Sequence, residues 1–261
     1  MEEIIMAQFA FDRAISVAGT YVGANADKGI KAGQLAFWAE QITEPTLNFT
    51  SETEDIVDAR NNVVMVLQNG RGATFGASNA FFNTSILAAQ VGSAVKDSTG
   101  ATITKFEMVT CDADGKGNIT YTPVADTTPV VYELASDGSF KTATASTTVT
   151  VAEKALTGGT KDAKYLVVYD IEAPAGEQIT ALADAENELL DITAEVLLRD
   201  LCSQEIYFAF LFMRGKLSGE AEWGMARDGA HAFEITAMPA YCDAERKLVD
   251  IVIVKDEALR A

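Results

Sequence analysis

Asp191-Ile-Thr-Ala-Glu-Val-Leu-Leu-Arg-Asp200, Ile206-Tyr-Phe-Ala-Phe-Leu-Phe-Met213, Glu220-Ala-Glu-Trp-Gly-Met225 and Phe233-Glu-Ile-Thr-Ala237 follow one another as four candidate strands. In the third and fourth, apolar and polar residues alternate at period two, the mark of a sheet with one wet face. The eight-residue apolar run from Ile206 suits instead a strand covered on both faces, by its own chain or by a neighbour's. No catalytic constellation falls within this block, so function has to be argued from architecture and assembly. A last strand is expected at Lys247 to Val254.

Upstream, Phe9 to Val17 and Gly33 to Ile42 read as strands separated by a turn at Asn25-Ala-Asp-Lys-Gly29. Pro45 to Arg60 reads as half strand and half acidic loop. Val63 to Leu67 reads as a strand, and Asn69-Gly-Arg-Gly72 as the turn of a hairpin into Ala73 to Gly76. The pattern then changes period. Ser78 or Asn79 can cap a helix, Phe82, Ile86 and Ala89 share one face, and Gly92 suits the residue past its end, which predicts a helix at about 79–91. From residue 99 to 172 short Thr- and Val-rich strands alternate with turn signals, as in a small sandwich. The expected domains are therefore a discontinuous β core of residues 1–98 and 173–261 and an inserted β-rich domain of 99–172. A short helix is expected at Ala181 to Leu190.

The chain has 261 residues and a net charge of −18, from 38 acidic and 20 basic residues. That balance argues against gripping a phosphate backbone, which needs clustered Lys and Arg. Two stretches carry no base at all: Lys31 to Arg60 encloses six acids, and Lys164 to Arg199 encloses eight. They read either as solvated faces or as a deliberately negative surface. The opening Met-Glu-Glu-Ile-Ile-Met has acids where a signal peptide needs Lys or Arg, and no segment approaches a membrane span, so synthesis in a host cytoplasm without membrane insertion is expected. Cys111, Cys202 and Cys242 are far apart and odd in number, so buried thiols are expected rather than a disulfide framework or zinc site.

The lone His231 follows Asp228-Gly-Ala and reads as a turn histidine, without partners at the spacing of a triad or metal site. Asp112-Ala-Asp-Gly-Lys-Gly-Asn-Ile119 looks like a calcium loop but has Lys116 where a third oxygen ligand belongs and Pro123 at the twelfth position, so a β-turn with solvated aspartates is the better account. Gly70 to Gly76 lacks the ending of a phosphate loop. The aromatics Tyr207, Phe208, Phe210 and Phe212 read as core. These residues predict no enzyme and no cofactor.

Three passages carry a resemblance: Leu47-Asn-Phe-Thr-Ser-Glu-Thr-Glu-Asp55, Phe75-Gly-Ala-Ser-Asn-Ala-Phe-Phe82, and Ala230-His-Ala-Phe-Glu-Ile-Thr-Ala-Met-Pro-Ala-Tyr-Cys242. With the order of elements around them they resemble bacteriophage tail tube proteins, virion structural proteins of long-tailed phages. The resemblance implies a mainly β fold, an antiparallel sandwich or barrel with one packed helix and an inserted strand-rich region. It also implies self-assembly into hexameric rings that stack, with other tail proteins, into a conduit through which DNA passes without specific binding. Phe49, Glu52, Glu54, Asp55, Asp58 and Arg60 are then candidates for the contact between rings, and Glu220 and Glu222 for the lumen. Two other readings stand beside it: a capsid decoration or baseplate protein, and a monomeric β-sandwich binding module.

Overall fold

Strand follows strand because β-branched and aromatic residues recur at period two between turns built by Gly, Asn and Asp. The structure, a computed structural model, describes residues 8–125, 127–220, 229–239 and 245–259. In chain order its elements are β1 Phe9–Tyr21, β2 Leu35–Ala39, β3 Ile42–Val57, β4 Val63–Asn79, α1 Thr84–Gln90, β5 Lys96–Asp97, β6 Thr102–Thr110, β7 Gly117–Asn118, β8 Val130–Leu134, β9 Thr150–Ala152, β10 Ala155–Thr157, β11 Lys164–Glu172, β12 Glu177–Gln178, β13 Leu190–Asp200, β14 Ile206–Leu217, β15 His231–Ala237, β16 Val249–Lys255 and α2 Asp256–Leu259. The fold is mainly β with antiparallel pairing, as the alternation predicts. It divides into two compact units, Met1–Val95 with Ile179–Ala261, and Lys96–Gln178.

In the first unit one sheet runs β2-β1-β13-β14-β15-β4-β3, with β16 added to β14. The branch lies on β14, whose residues Ile206 to Gly215 pair with β13 on one side. On the other side Tyr207 to Met213 pair with β16, and Gly215 to Leu217 pair with β15. Alternation sorts the faces: Leu190, Ile192, Ala194, Val196 and Leu198 of β13 bury together with Ala209, Leu211, Met213 and Leu217 of β14 and Phe233 and Ile235 of β15. Among the described residues the sheet does not close into a barrel.

Three local expectations are corrected. The glycines at 70 and 72 do not turn the chain: β4 runs straight through them, Gly70 opposite Glu52 and Gly72 opposite Thr50, with a register irregularity just before Gly70, between Glu52 and Thr53. An Asn-Gly pair inside a strand marks a bulge as readily as a hairpin. The helix is seven residues long, because Ser78 and Asn79 are held in β4 by pairing with β15 and the cap falls to Asn83, whose side chain accepts from the Ser85 and Ile86 amides. Gly92 takes the left-handed conformation just past its end, at φ 66°. No helix forms at Ala181 to Leu190: Asn187 Nδ2 donates to the Leu217 carbonyl at 2.7 Å, Glu188 accepts from Lys28 Nζ at 2.7 Å, and the Leu189 carbonyl accepts from the Val22 amide. Those tertiary bonds outweigh helix propensity. The strand expected at Glu220 to Met225 lies, beyond Glu220, outside the described residues.

The second unit has sheets β6-β11-β8 and β7-β10-β9 and its own core of Val109, Cys111, Ile119, Val131, Val149, Leu156, Tyr165, Val167 and Tyr169. Tyr169 Oη donates to Glu107 Oε2 at 2.6 Å, and Thr120 Oγ1 donates to Glu107 Oε1 at 2.6 Å. Burial, then the bond to Glu107, pushes the phenol up to about 12 from its ordinary value of 10.0. Its folded pKa is raised, so its contribution to stability is fully present below pH 10 and is lost as pH rises from there towards 12. In a denaturant series at pH 9, 10 and 11, the native protein should lose stability across this window, and Tyr169→Phe should flatten the slope.

Candidate assembly surfaces

The stretch that reads as an acidic loop, Asn48 to Arg60, is mostly strand. β3 continues to Val57, and the turn sits at Asp58 to Asn62. Asp58 builds it: Oδ1 accepts from the Arg60 amide at 2.8 Å and the Asn62 amide at 2.9 Å, and Oδ2 from Asn62 Nδ2 at 3.2 Å. These bonds, those from Asn62 foremost, hold the Asp58 carboxyl below its ordinary value. Asn61 sits at φ 63°, a conformation Asn tolerates.

Beyond Thr74 this hairpin is, among the described residues, a two-stranded ribbon, because β15 pairs with β4 only from Thr74 to Asn79. Glu54 faces Leu67 across the ribbon, Asp55 faces Val66, Ile56 faces Met65 and Val57 faces Val63. Its apolar side chains are open to solvent, Val64 at 67% and Phe49 at 62%, with Ile56, Val57, Val63, Met65, Val66 and Leu67 also exposed. A lone two-stranded ribbon is marginal in water, and an exposed apolar edge of this length pairs or aggregates unless something covers it. The arm carries Phe49, Glu52, Glu54, Asp55, Asp58 and Arg60, all exposed. It also carries the apolar run Val63 to Leu67, which is strand as expected and whose exposure the sequence reading did not address.

A second apolar surface lies on the back of β14. Among the described residues only the face of Ala209, Leu211, Met213 and Leu217 is fully buried. On the other, Phe208, Phe210 and Phe212 form a stacked row, with ring centroids 6.4 and 6.5 Å apart and Phe212 exposed. The expectation that these aromatics are core is corrected, because their alternation puts them opposite Ala209, Leu211 and Met213. Tyr207 alone of the run packs on the core side, edge-on to Phe9.

Glu220 is exposed and lines an open cleft of about 750 Å³ with Glu44, Glu234, Ser78 and Ser218. The fold thus brings three carboxylates to one surface, of which the sequence reading named only Glu220. Glu222 lies outside the described residues. Asp112 Oδ1 accepts from the Asp114 and Lys116 amides at 2.9 Å each, so its first aspartate is spent on its own turn. Cys111 is buried, but Cys202 is exposed in the turn between β13 and β14, against the expectation of buried thiols; Cys242 lies outside the described residues. His231 is corrected from a turn residue to the first residue of β15, wholly buried and 2.7 Å from Gln90 Oε1.

A sequence match to the YomU/Tube protein family runs over residues 29–245, from before β2 to just before β16. The chain belongs to the YomU/Tube protein family. Membership agrees with the resemblance to bacteriophage tail tube proteins and makes the chain a tail tube structural protein, a virion component that assembles with other copies and other tail proteins. The match includes all of Lys96–Gln178, so the second unit lies inside the family range. No curated protein matches the chain. Among the described residues no helix is long and apolar enough to cross a membrane.

Proposed function

We propose that this tube protein assembles into hexameric rings that stack into a conduit for DNA ejection. The observation that carries the reading is the β3–β4 arm: an apolar ribbon that no described residue of its own unit covers, in a chain of a tube family. In this reading residues 1–98 and 173–261 form the tube core and 99–172 an inserted domain. The arm, with Phe49, Glu52, Glu54, Asp55 and Arg60 on it and Asp58 shaping its tip, makes the contact between rings. Negative-stain microscopy of the purified protein at several concentrations tests it. Hollow tubes or stacked six-fold rings are expected; monomers or trimers at every concentration would overturn it.

Glu220 and Glu222 are the proposed lumen residues. A wall of one sign repels phosphate within about 8–10 Å at physiological salt, so DNA passes without sticking. Replacing both by Lys should leave tubes intact and slow DNA delivery, because a basic wall recruits the phosphate backbone. Normal infectivity with normal tubes would count against the lumen assignment.

A further inference from the structure

Three polar side chains are buried together where α1 meets the sheet: Gln90 and His231 are fully buried, and Asn79 is 5% exposed. Gln90 Nε2 donates to the Ala232 carbonyl at 3.1 Å, so its Oε1 faces the imidazole and accepts from His231 Nε2 at 2.7 Å. That assigns the tautomer. Nε2 carries the proton, and Nδ1 keeps a bare lone pair with no partner among the described residues. Asn79 pairs in register with His231 across β4 and β15 and spends its Nδ2 on the Phe81 carbonyl, while its Oδ1 is also without a partner. A buried acceptor left unpaired is costly, and two of them on one strand pair ask for a reason.

We infer that His231, Gln90 and Asn79 form a proton-sensitive joint, which fastens α1 to the β4–β15 pair while the imidazole is neutral and loosens when Nδ1 takes a proton. Among the described residues, the elements around it supply no charge to hold an imidazolium. Gln90 comes from α1, Asn79 from β4 and the Phe82 ring, stacked at 5.6 Å, from the connection between them. The carboxylates nearest in sequence on the flanking strands, Glu44 and Glu234, line the surface cleft, and Glu40 is exposed. Burial accordingly lowers the His231 pKa from 6.5. A lowered folded value means the unfolded chain binds the proton first. The joint's contribution is therefore complete above pH 6.5 and is lost as pH falls through the folded pKa, by at most tenfold in the folding constant per pH unit.

The chain has one histidine, so its imidazole can be followed alone. In unassembled protein labelled with ¹⁵N at histidine, the Nε2–H tautomer at pH 8 and a titration midpoint below 6.5 are expected. Amide exchange of Thr84 to Gln90, corrected for its intrinsic rate, should speed up as pH falls from 7.5 to 5. The double variant His231→Phe with Gln90→Met should lack that acceleration. An Nδ1–H tautomer, a midpoint at or above 6.5, or the same acceleration in the double variant would each overturn the joint. Should the variant fail to fold, the imidazole spectrum of the native protein still decides.

Discussion

With Val64 and Val66 both replaced by Lys, the subunit folds as before and forms no tubes. Both side chains are more than half exposed, and substitutions at such positions usually change stability by no more than about 0.5 kcal/mol. The ribbon itself should tolerate the change, because Asp55 lies opposite position 66 and forms a cross-strand pair with the new charge. The cost falls on the assembly. Burying a Val against a neighbour contributes about 1.5–3 kcal/mol, so losing two weakens each contact by about 3–6 kcal/mol, on the order of 10² to 10⁴-fold. Lys adds the penalty of placing a charge in an apolar contact, and charged residues are a common guard against edge pairing. Thermal melting followed by circular dichroism should superpose on the native curve, while negative-stain fields of the variant should hold no tubes. Tubes of native length from the double variant would remove the arm from the assembly contact.

Why the arm escaped the sequence reading is a matter of what local rules can see. The strands of the terminal block were legible because each needs only one fact, period-two burial, and Leu190, Ile192, Ala194 and Val196 or Phe233, Ile235 and Ala237 supply it residue by residue. Asn69-Gly70 obeys the hairpin rule locally, but so does Asp58 to Asn62, and only the pairing of β3 with β4 over their whole length decides between them. The same competition moved the helix cap from Asn79 to Asn83: both residue types cap, and Asn79 was already taken by His231 across the sheet. His231 itself sits in sequence beside Asp-Gly-Ala, a turn signature. Its burial depends on α1 bringing Gln90 over it, a contact 141 residues away in the chain. The carboxylates of the cleft come together from β15 and from the ends of β3 and β14 in the same way, so one could be named from the sequence and the constellation could not.

Gly215→Ala should destabilise the protein by about 1–3 kcal/mol, the range for overpacking a filled site. The ordinary expectation has the opposite sign, since replacing a strand glycine by Ala relieves about 0.5–1 kcal/mol of backbone entropy. Gly215 has no left-handed backbone conformation, so the argument is one of space. A Cβ there would collide with the Thr236 carbonyl oxygen, lie 3.0 Å from its carbon and 3.1 Å from Ile235 Cγ2. Backbone cannot step aside as a flexible side chain can. The position matters because Gly215 stands where β14 passes from β16 to β15, pairing with Leu190 on one side and Ala237 on the other. Only Gly215, Lys216 and Leu217 pair β14 to β15, and β15 in turn carries β4 and the arm. A shift there moves the arm relative to β13 and β14, so tube formation should suffer beyond what the stability loss explains. Gly70→Ala is the control: an added Cβ meets nothing within 4 Å, and the outcome should be neutral or slightly stabilising. Urea unfolding of the unassembled proteins, with m held equal across the set, separates the two signs. Equal midpoints for Gly215→Ala and Gly70→Ala would mean that the β14–β15 crossing has slack, and that the geometry of the arm is set elsewhere in the sheet.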